Sequence, residues 1–212
     1  MSKESKYVWL LDAGHGGINP DTGEYVTPGK RSPVWQKGFF NMSQYYEGVG
    51  NRQIVDKIAK NLDKLSIPYF KICDSWKDMP LKERVAKANQ YQKVFGNCVY
   101  VSIHSNGFTK ESANGYSIYT SRGETKSDKI AEIFIDNMKI NFSKRKLRKD
   151  TRDGDQDKEA NFYVLKHTSC PAILIENFFM TNYSECQLLL TPEFQDKIAL
   201  CHSESITQIS FS

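Results

Sequence analysis

The sequence predicts an α/β fold: a single domain with a mostly parallel, twisted sheet of about six strands and helices on both faces. Three observations predict it. Short apolar runs bounded by turn residues recur along the 212 residues, as buried strands do. Stretches with apolar residues at helical spacing alternate with those runs. No internal repeat, and no linker that would mark a second domain, interrupts the order.

Tyr7–Leu11 is the first strand, running into Asp12-Ala13-Gly14-His15-Gly16-Gly17. The segment Gly14–Tyr46 follows, rich in Gly and Pro and carrying Tyr25, Trp35, Phe39, Phe40, Tyr45 and Tyr46. A loop this long in a compact domain is usually functional or disordered, and its aromatic content argues against disorder. It is expected to form a groove wall or lid near the active site. A helix spans Glu47 to Leu65, with Ile54, Ile58, Leu62 and Leu65 on one face. Ile67–Ile72 is a short strand. Pro80 suits the first turn of the next helix, Leu81–Tyr91, with Val85 and Ala88 inward.

Cys98–His104 is the central strand, ending in His104-Ser105-Asn106-Gly107. Gly115–Thr120 is another strand, and Ser127–Phe142 a helix with Ile130, Ile133, Phe134 and Met138 inward. Lys144–Lys149 is a basic run, read as a solvated face or as a contact with an anionic polymer. Phe162–Leu165 and Ala172–Glu176 are expected as strands. Helices over Ser184–Leu190 and from Pro192 to about Ile209 close the chain.

The net charge of +4 is mild. It suits a polyanionic surface such as a cell wall and does not by itself indicate nucleic acid. Five scattered cysteines with no C-x-x-C pair are expected as buried, reduced thiols. No stretch approaches a membrane span. The run Tyr7–Leu11 is too short for a signal-peptide core, so the chain is expected to be made in the cytoplasm without an export signal.

Three strands end in residues that bind metal or move protons. His15 and His104 are nitrogen donors at two strand ends, and a catalytic zinc takes three protein ligands with one open position. Glu47 opens a helix after the long loop. The residues alone leave it open between a carboxylate paired with the helix dipole and the third metal ligand. Asp12 competes, although alternation along the strand turns it away from its neighbour. Glu176 ends a buried strand, where a carboxylate is costly without a partner or a task; general base is the task offered. His202 reads as an ordinary residue of the last helix, and His167 as no ligand.

Together these motifs resemble the zinc-dependent N-acetylmuramoyl-L-alanine amidases (amidase type 3) of bacterial cell-wall enzymes and phage endolysins. The residues that carry the resemblance are Asp12–Gly17, Glu47 with Asn51, Leu81–Asn89 (L-x-E-R-x-x-x-A-N), Ser102–Asn106, Phe162–Leu165, Pro171–Glu176 and Phe179–Asn182. They keep the family's order over almost the whole chain. The resemblance implies one catalytic zinc ion held by His15, Glu47 and His104, with Glu176 as the catalytic glutamate. It also implies peptidoglycan as substrate, cleaved between N-acetylmuramic acid and L-alanine. Asn106 is a further candidate for orienting substrate. No nucleic acid, membrane insertion or separate wall-binding domain is expected. Release of the phage type onto the cell wall fits the missing export signal.

The chain departs from the family's pattern in its longer His15-to-Glu47 segment, in Phe178 where glycine is usual, and in Cys73-Asp74-Ser75 where a threonine-arginine pair is usual. Two other functions stay open at this point: a zinc peptidase acting on stem peptides, and a catalytically silent wall-binding module.

Overall fold

The computed structural model describes residues 4–37, 41–152 and 154–212. The first apolar run becomes β1 (Val8–Ala13), buried at every position. The segment expected to be irregular contains a small antiparallel hairpin of β2 (Trp35–Lys37) and β3 (Asn41–Ser43), with Trp35 opposite Ser43. Phe39 and Phe40 lie outside the described residues. Then come α1 (Glu47–Lys64), β4 (Tyr69–Lys71), α2 (Leu81–Phe95) and β5 (Cys98–Asn106). They are followed by β6 (Ser117–Thr120), α3 (Lys126–Asn141) and β7 (Lys158–Glu159). The chain ends with α4 (Tyr163–His167), β8 (Ala172–Phe179), α5 (Tyr183–Leu189) and α6 (Pro192–Phe211).

One expected strand is a helix. Phe162–Leu165 is not extended: Phe162 caps α4, and its carbonyl accepts the amides of Leu165 and Lys166. A four-residue apolar run has no periodicity that separates strand from helix. Here Val164 and Leu165 are both buried, and successive residues on one side suit a helical turn better than a pleat. The edge strand comes instead from the polar stretch before it, where Lys158 and Glu159 pair with Tyr119 and Thr120.

The six strands are ordered β4-β1-β5-β8-β6-β7. Every neighbouring pair is parallel except β6 with β8. Strand alternation sorts side chains to two cores. Trp9, Leu11, Val99, Val101, Ile103, Ile173 and Ile175 face α1, α3 and α6. Leu10, Tyr100, Ala172 and Leu174 face α2 and α4. All five cysteines are buried and unbridged.

The same alternation carries Asp12, Ser102, His104 and Glu176 to the α2/α4 side. There the registers place Asp12 beside Ser102, and His104 beside Glu176. α4 is short and α2 ends its approach at Leu81, so the C-terminal ends of β1, β5 and β8 stay uncovered on this side. Parallel sheets present their ligand sites at that edge.

The β5–β8 ladder shifts register just past the site. His104 pairs with Glu176, but Asn106 pairs with Phe179, so β8 carries one extra residue. The bulge is absorbed at Phe178, whose φ is +62°, the region where glycine is preferred. A glycine, expected here from the resemblance, would take this backbone without strain, and Phe178 does not. The phenyl ring compensates: it is fully buried among Tyr116, Phe142 and Phe194, with centroids 5.1–5.9 Å away.

Phe178→Ala is therefore expected to destabilise the fold by about 3–5 kcal/mol through the lost ring. Phe178→Gly should cost about 1 kcal/mol less, because it also relieves the left-handed backbone. Urea unfolding of the two variants measures the order, which reverses the usual advantage of alanine over glycine.

Candidate active site

Two close approaches assemble the site. The loop after β1 turns at His15, whose φ is +65°, and passes so near His104 that a Cβ on Gly14 would lie 2.1 Å from the imidazole. On the other side, the first turn of α1 presses on the same loop, where a Cβ on Gly48 would lie 1.8 Å from the carbonyl oxygen of Gly16. Only glycine permits either contact. The helix start is thus brought against the strand end, and Asn51 locks it there by donating to the Gly14 carbonyl at 3.1 Å.

Glu47 consequently sits between the two histidines. Its Oε1 lies 3.3 Å from His15 Nε2 and 3.0 Å from His104 Nδ1. The two imidazole rings stand edge to face at 5.0 Å. Burial opposes the charge on Glu47, but hydrogen bonds with His104 and His15 hold its carboxyl well below the usual range. Burial likewise opposes a charged His104, and the Glu47 hydrogen bond outweighs it, raising that imidazole.

The trio has the donor set and spacing of a zinc site. Zinc bonds of about 2.0–2.1 Å in tetrahedral geometry place ligand atoms about 3.3–3.4 Å apart. The two His–Glu separations are close to that, and the three donor atoms lie within 4.8 Å of one another. Both histidines and the glutamate border one cavity of ≈ 960 Å³.

Glu176 lines the same cavity. Its Oε2 is buried with no hydrogen-bond partner among the described residues. Burial raises its pKa to about 7; the nearby Glu47 adds to the rise, while His104 and Lys30 oppose it. A carboxylate poised near neutrality, unpartnered and facing a cavity is suited to proton transfer. Asn106 borders the cavity too, at the end of β5, where its carbonyl accepts the Met180 amide.

The structure separates the remaining candidates. Asp12 faces the same side of the sheet as His104 but is consumed by a buried network. Arg84 Nη1 donates to Asp12 Oδ1 at 2.6 Å, and Tyr100 and Ser102 hydroxyls donate to Oδ2 at 2.6 and 2.8 Å. Cys73 adds a thiol contact at 3.2 Å. His167 stacks on Tyr163 at 4.4 Å and stands outside the donor cluster.

Arg84 is the residue that sequence reasoning missed. Besides Asp12, its guanidinium donates to the carbonyls of Ala13, His15 and Met79. Arg52 reaches the same His15 carbonyl at 2.7 Å. The strained turn that aims His15 is therefore held by two arginines. The signal was present: Arg84 is the arginine of the L-x-E-R stretch. His202, an ordinary residue of the last helix by sequence, is fully buried on α6. Its Nε2 bonds Asn177 Oδ1 at 2.8 Å, and Asn177 Nδ2 donates to the His104 carbonyl at 3.3 Å. That chain braces the strands at the bulge just past the His104–Glu176 pair.

The sequence profile of the N-acetylmuramoyl-L-alanine amidases matches residues 10–208. The chain belongs to this family. It is 26% identical to N-acetylmuramoyl-L-alanine amidase AmiA of Escherichia coli (strain K12), over 95% of the chain and 75% of AmiA. It is also 26% identical to the endolysin of Bacillus phage SPP1, over 97% of the chain and 66% of the endolysin. The crystal structure of an N-acetylmuramoyl-L-alanine amidase from Clostridium difficile 630 superposes with a TM-score of 0.74 at 25% identity, covering 96% of both chains. The catalytic domain of CwlV from Bacillus (Paenibacillus) polymyxa var. colistinus shares the fold, with a TM-score of 0.69 at 23% identity over 95% of this chain and 97% of that one. The α/β architecture inferred from the sequence is the fold of these amidases.

Two outcomes follow from the bracing residues. Arg84→Lys keeps the charge but loses the fork, so it is expected to destabilise the protein by about 3 kcal/mol. Chemical unfolding measures the effect. Burial pushes His202 down to about 3, below its unfolded value near 6.5. Between those values the unfolded chain binds the extra proton, so stability is full above about pH 6.5 and declines as pH falls toward 3. His202→Gln should flatten the decline between pH 6.5 and 4, measured by urea midpoints of the metal-free protein.

Proposed function

We propose that this chain is a zinc-dependent peptidoglycan hydrolase that cleaves the amide between N-acetylmuramic acid and the L-alanine of the stem peptide. In this reading, His15, Glu47 and His104 hold one zinc ion and Glu176 is the catalytic base. Family membership supports the reaction. The single observation that carries the site assignment is the convergence of the three donor atoms in one cavity with Glu176 on the neighbouring strand, whose Oε2 is buried without a hydrogen-bond partner among the described residues.

When bound, zinc in such a site supplies Lewis acidity to the scissile carbonyl and to a water. The chain's own residues do the rest. Glu47 stays anionic, so the ligand set keeps one negative charge against the metal's two. Glu176 takes the proton of the attacking water on its buried carboxylate and returns it to the nitrogen of the departing L-alanine. Burial, which favours the neutral acid, lets one group accept the proton and then donate it. The bracing by Arg84, Arg52 and Asn177 fixes where His15 and His104 aim.

The cavity is a groove on the surface, in keeping with a polymeric substrate. The segment 14–46 contributes Gly29, Lys30 and Arg31 to its wall. No helix among the described residues is long and apolar enough to cross a membrane. The SPP1 endolysin and AmiA are wall enzymes by name, and we extend that place of action to this chain. A lytic role of the endolysin type fits both.

Zinc added to the chelated protein is expected to restore release of new L-alanine amino termini from purified peptidoglycan. Glu176→Gln should retain zinc affinity within a few-fold while hydrolysis falls about 10²- to 10⁴-fold. His104→Ala should lose both. New termini within the stem would identify a peptidase instead. Wall binding without turnover under any metal would identify a silent binding module.

A further inference from the structure

The cavity has two walls of opposite character. One is apolar and aromatic: Phe108, Phe162 and Tyr163 line it, with Phe108 55% exposed and Phe162 39% exposed. The other is the short stretch Gly29-Lys30-Arg31, which presents two consecutive cations.

That stretch is fastened to the proposed metal ligand itself. The Glu47 amide donates to the Lys30 carbonyl at 3.0 Å. Arg31 forms an antiparallel bridge with Tyr46, the residue before Glu47. The backbone that carries both cations is therefore tied to the start of α1, beside the reacting centre. Lys30 is near enough to Glu176 to act on its charge.

Neither cation has a hydrogen bond or ion pair for its side chain among the described residues. Three of the four carboxylates that line the cavity are already engaged, Glu176 being the exception. Asp12 is held by Arg84, and Asp78 accepts from Thr27 and lies 3.4 Å from Arg84. Glu47 sits between the two histidines. Two exposed, unsatisfied cations on the wall of a catalytic groove are a place for an anion of the substrate.

The substrate offers one close to the scissile bond. The second residue of the stem is joined through its side-chain carboxyl, which leaves its α-carboxyl either free or amidated. Two extended residues span at most about 7 Å, within reach of a lysine anchored beside Glu47. We propose that Lys30 and Arg31 are specificity-determining residues that bind this α-carboxylate, so that the enzyme prefers stems in which it is free over stems in which it is amidated. The inference rests on the amidase reading given above.

Lys30 also acts on Glu176, so its replacement shifts turnover of every substrate. The ratio between two substrates cancels that effect. The experiment measures kcat/KM of the zinc-loaded protein on two preparations of peptidoglycan, alike in glycan and stem except that this carboxyl is free in one and amidated in the other. The variants are Lys30→Gln, Arg31→Gln, the double variant, and the charge-preserving Lys30→Arg. The unmodified enzyme is expected to favour the free carboxylate about tenfold. The double variant should bring the ratio to within about twofold of one, and Lys30→Arg should keep most of the preference.

Equal rates on the two preparations by the unmodified enzyme, or a preference for the amidated one, would overturn the inference and leave the amidase reading standing. So would a double variant that keeps the original ratio. No turnover of either preparation by the unmodified enzyme overturns the amidase reading, and this inference with it.

Discussion

The site depends on one buried guanidinium. Arg84 lies beneath the loop after β1, with its charge met by Asp12 and its remaining donors by three backbone carbonyls and Asp78. A loop that carries a left-handed histidine has no regular partners for its carbonyls, and buried carbonyls must find donors. Arg84 supplies them from one rigid fork, which a lysine's single point charge cannot do. Asp12 in turn is held by Tyr100 and Ser102 of β5, so the strand that carries His104 and the loop that carries His15 are tied through the same pair. Such a pair adds little net stability, because both ions lose water. Its contribution is to place two imidazoles and a carboxylate within bonding distance of a common point before any metal arrives.

Sheet register does the complementary work. His104 and Glu176 come from strands separated by more than sixty residues, yet parallel pairing sets them side by side, facing the same cavity. The bulge immediately beyond lets β8 continue without shifting that pairing. Asn177 of β8 secures it, held in turn by His202 of α6.

Much of this was legible in the chain. Apolar runs and helical periodicity are consequences of burial, so they identified most strands and helices and the strand ends bearing His15, His104 and Glu176. Glu47 was harder: a carboxylate at a helix start has an ordinary explanation, and it takes the close approach of Gly48 to Gly16 to bring it between the two histidines. Arg84 was missed because its partner lies far away in sequence: it reaches Asp12 across 72 positions. Periodicity records which side of an element is buried and not which hydrogen bond a buried polar group makes. Phe162–Leu165 misled for the opposite reason, since four apolar residues satisfy a strand and a helical turn equally well.

The five cysteines have a bearing on where such a chain can work. Burial raises the pKa of every one of them, which suppresses the thiolate, the species that attacks oxidants and disulfides. The fold thus shields its sulfur chemistry with packing alone. A protein built this way can pass from a reducing interior to an oxidising exterior without acquiring bridges, and it needs no oxidative folding machinery on either side.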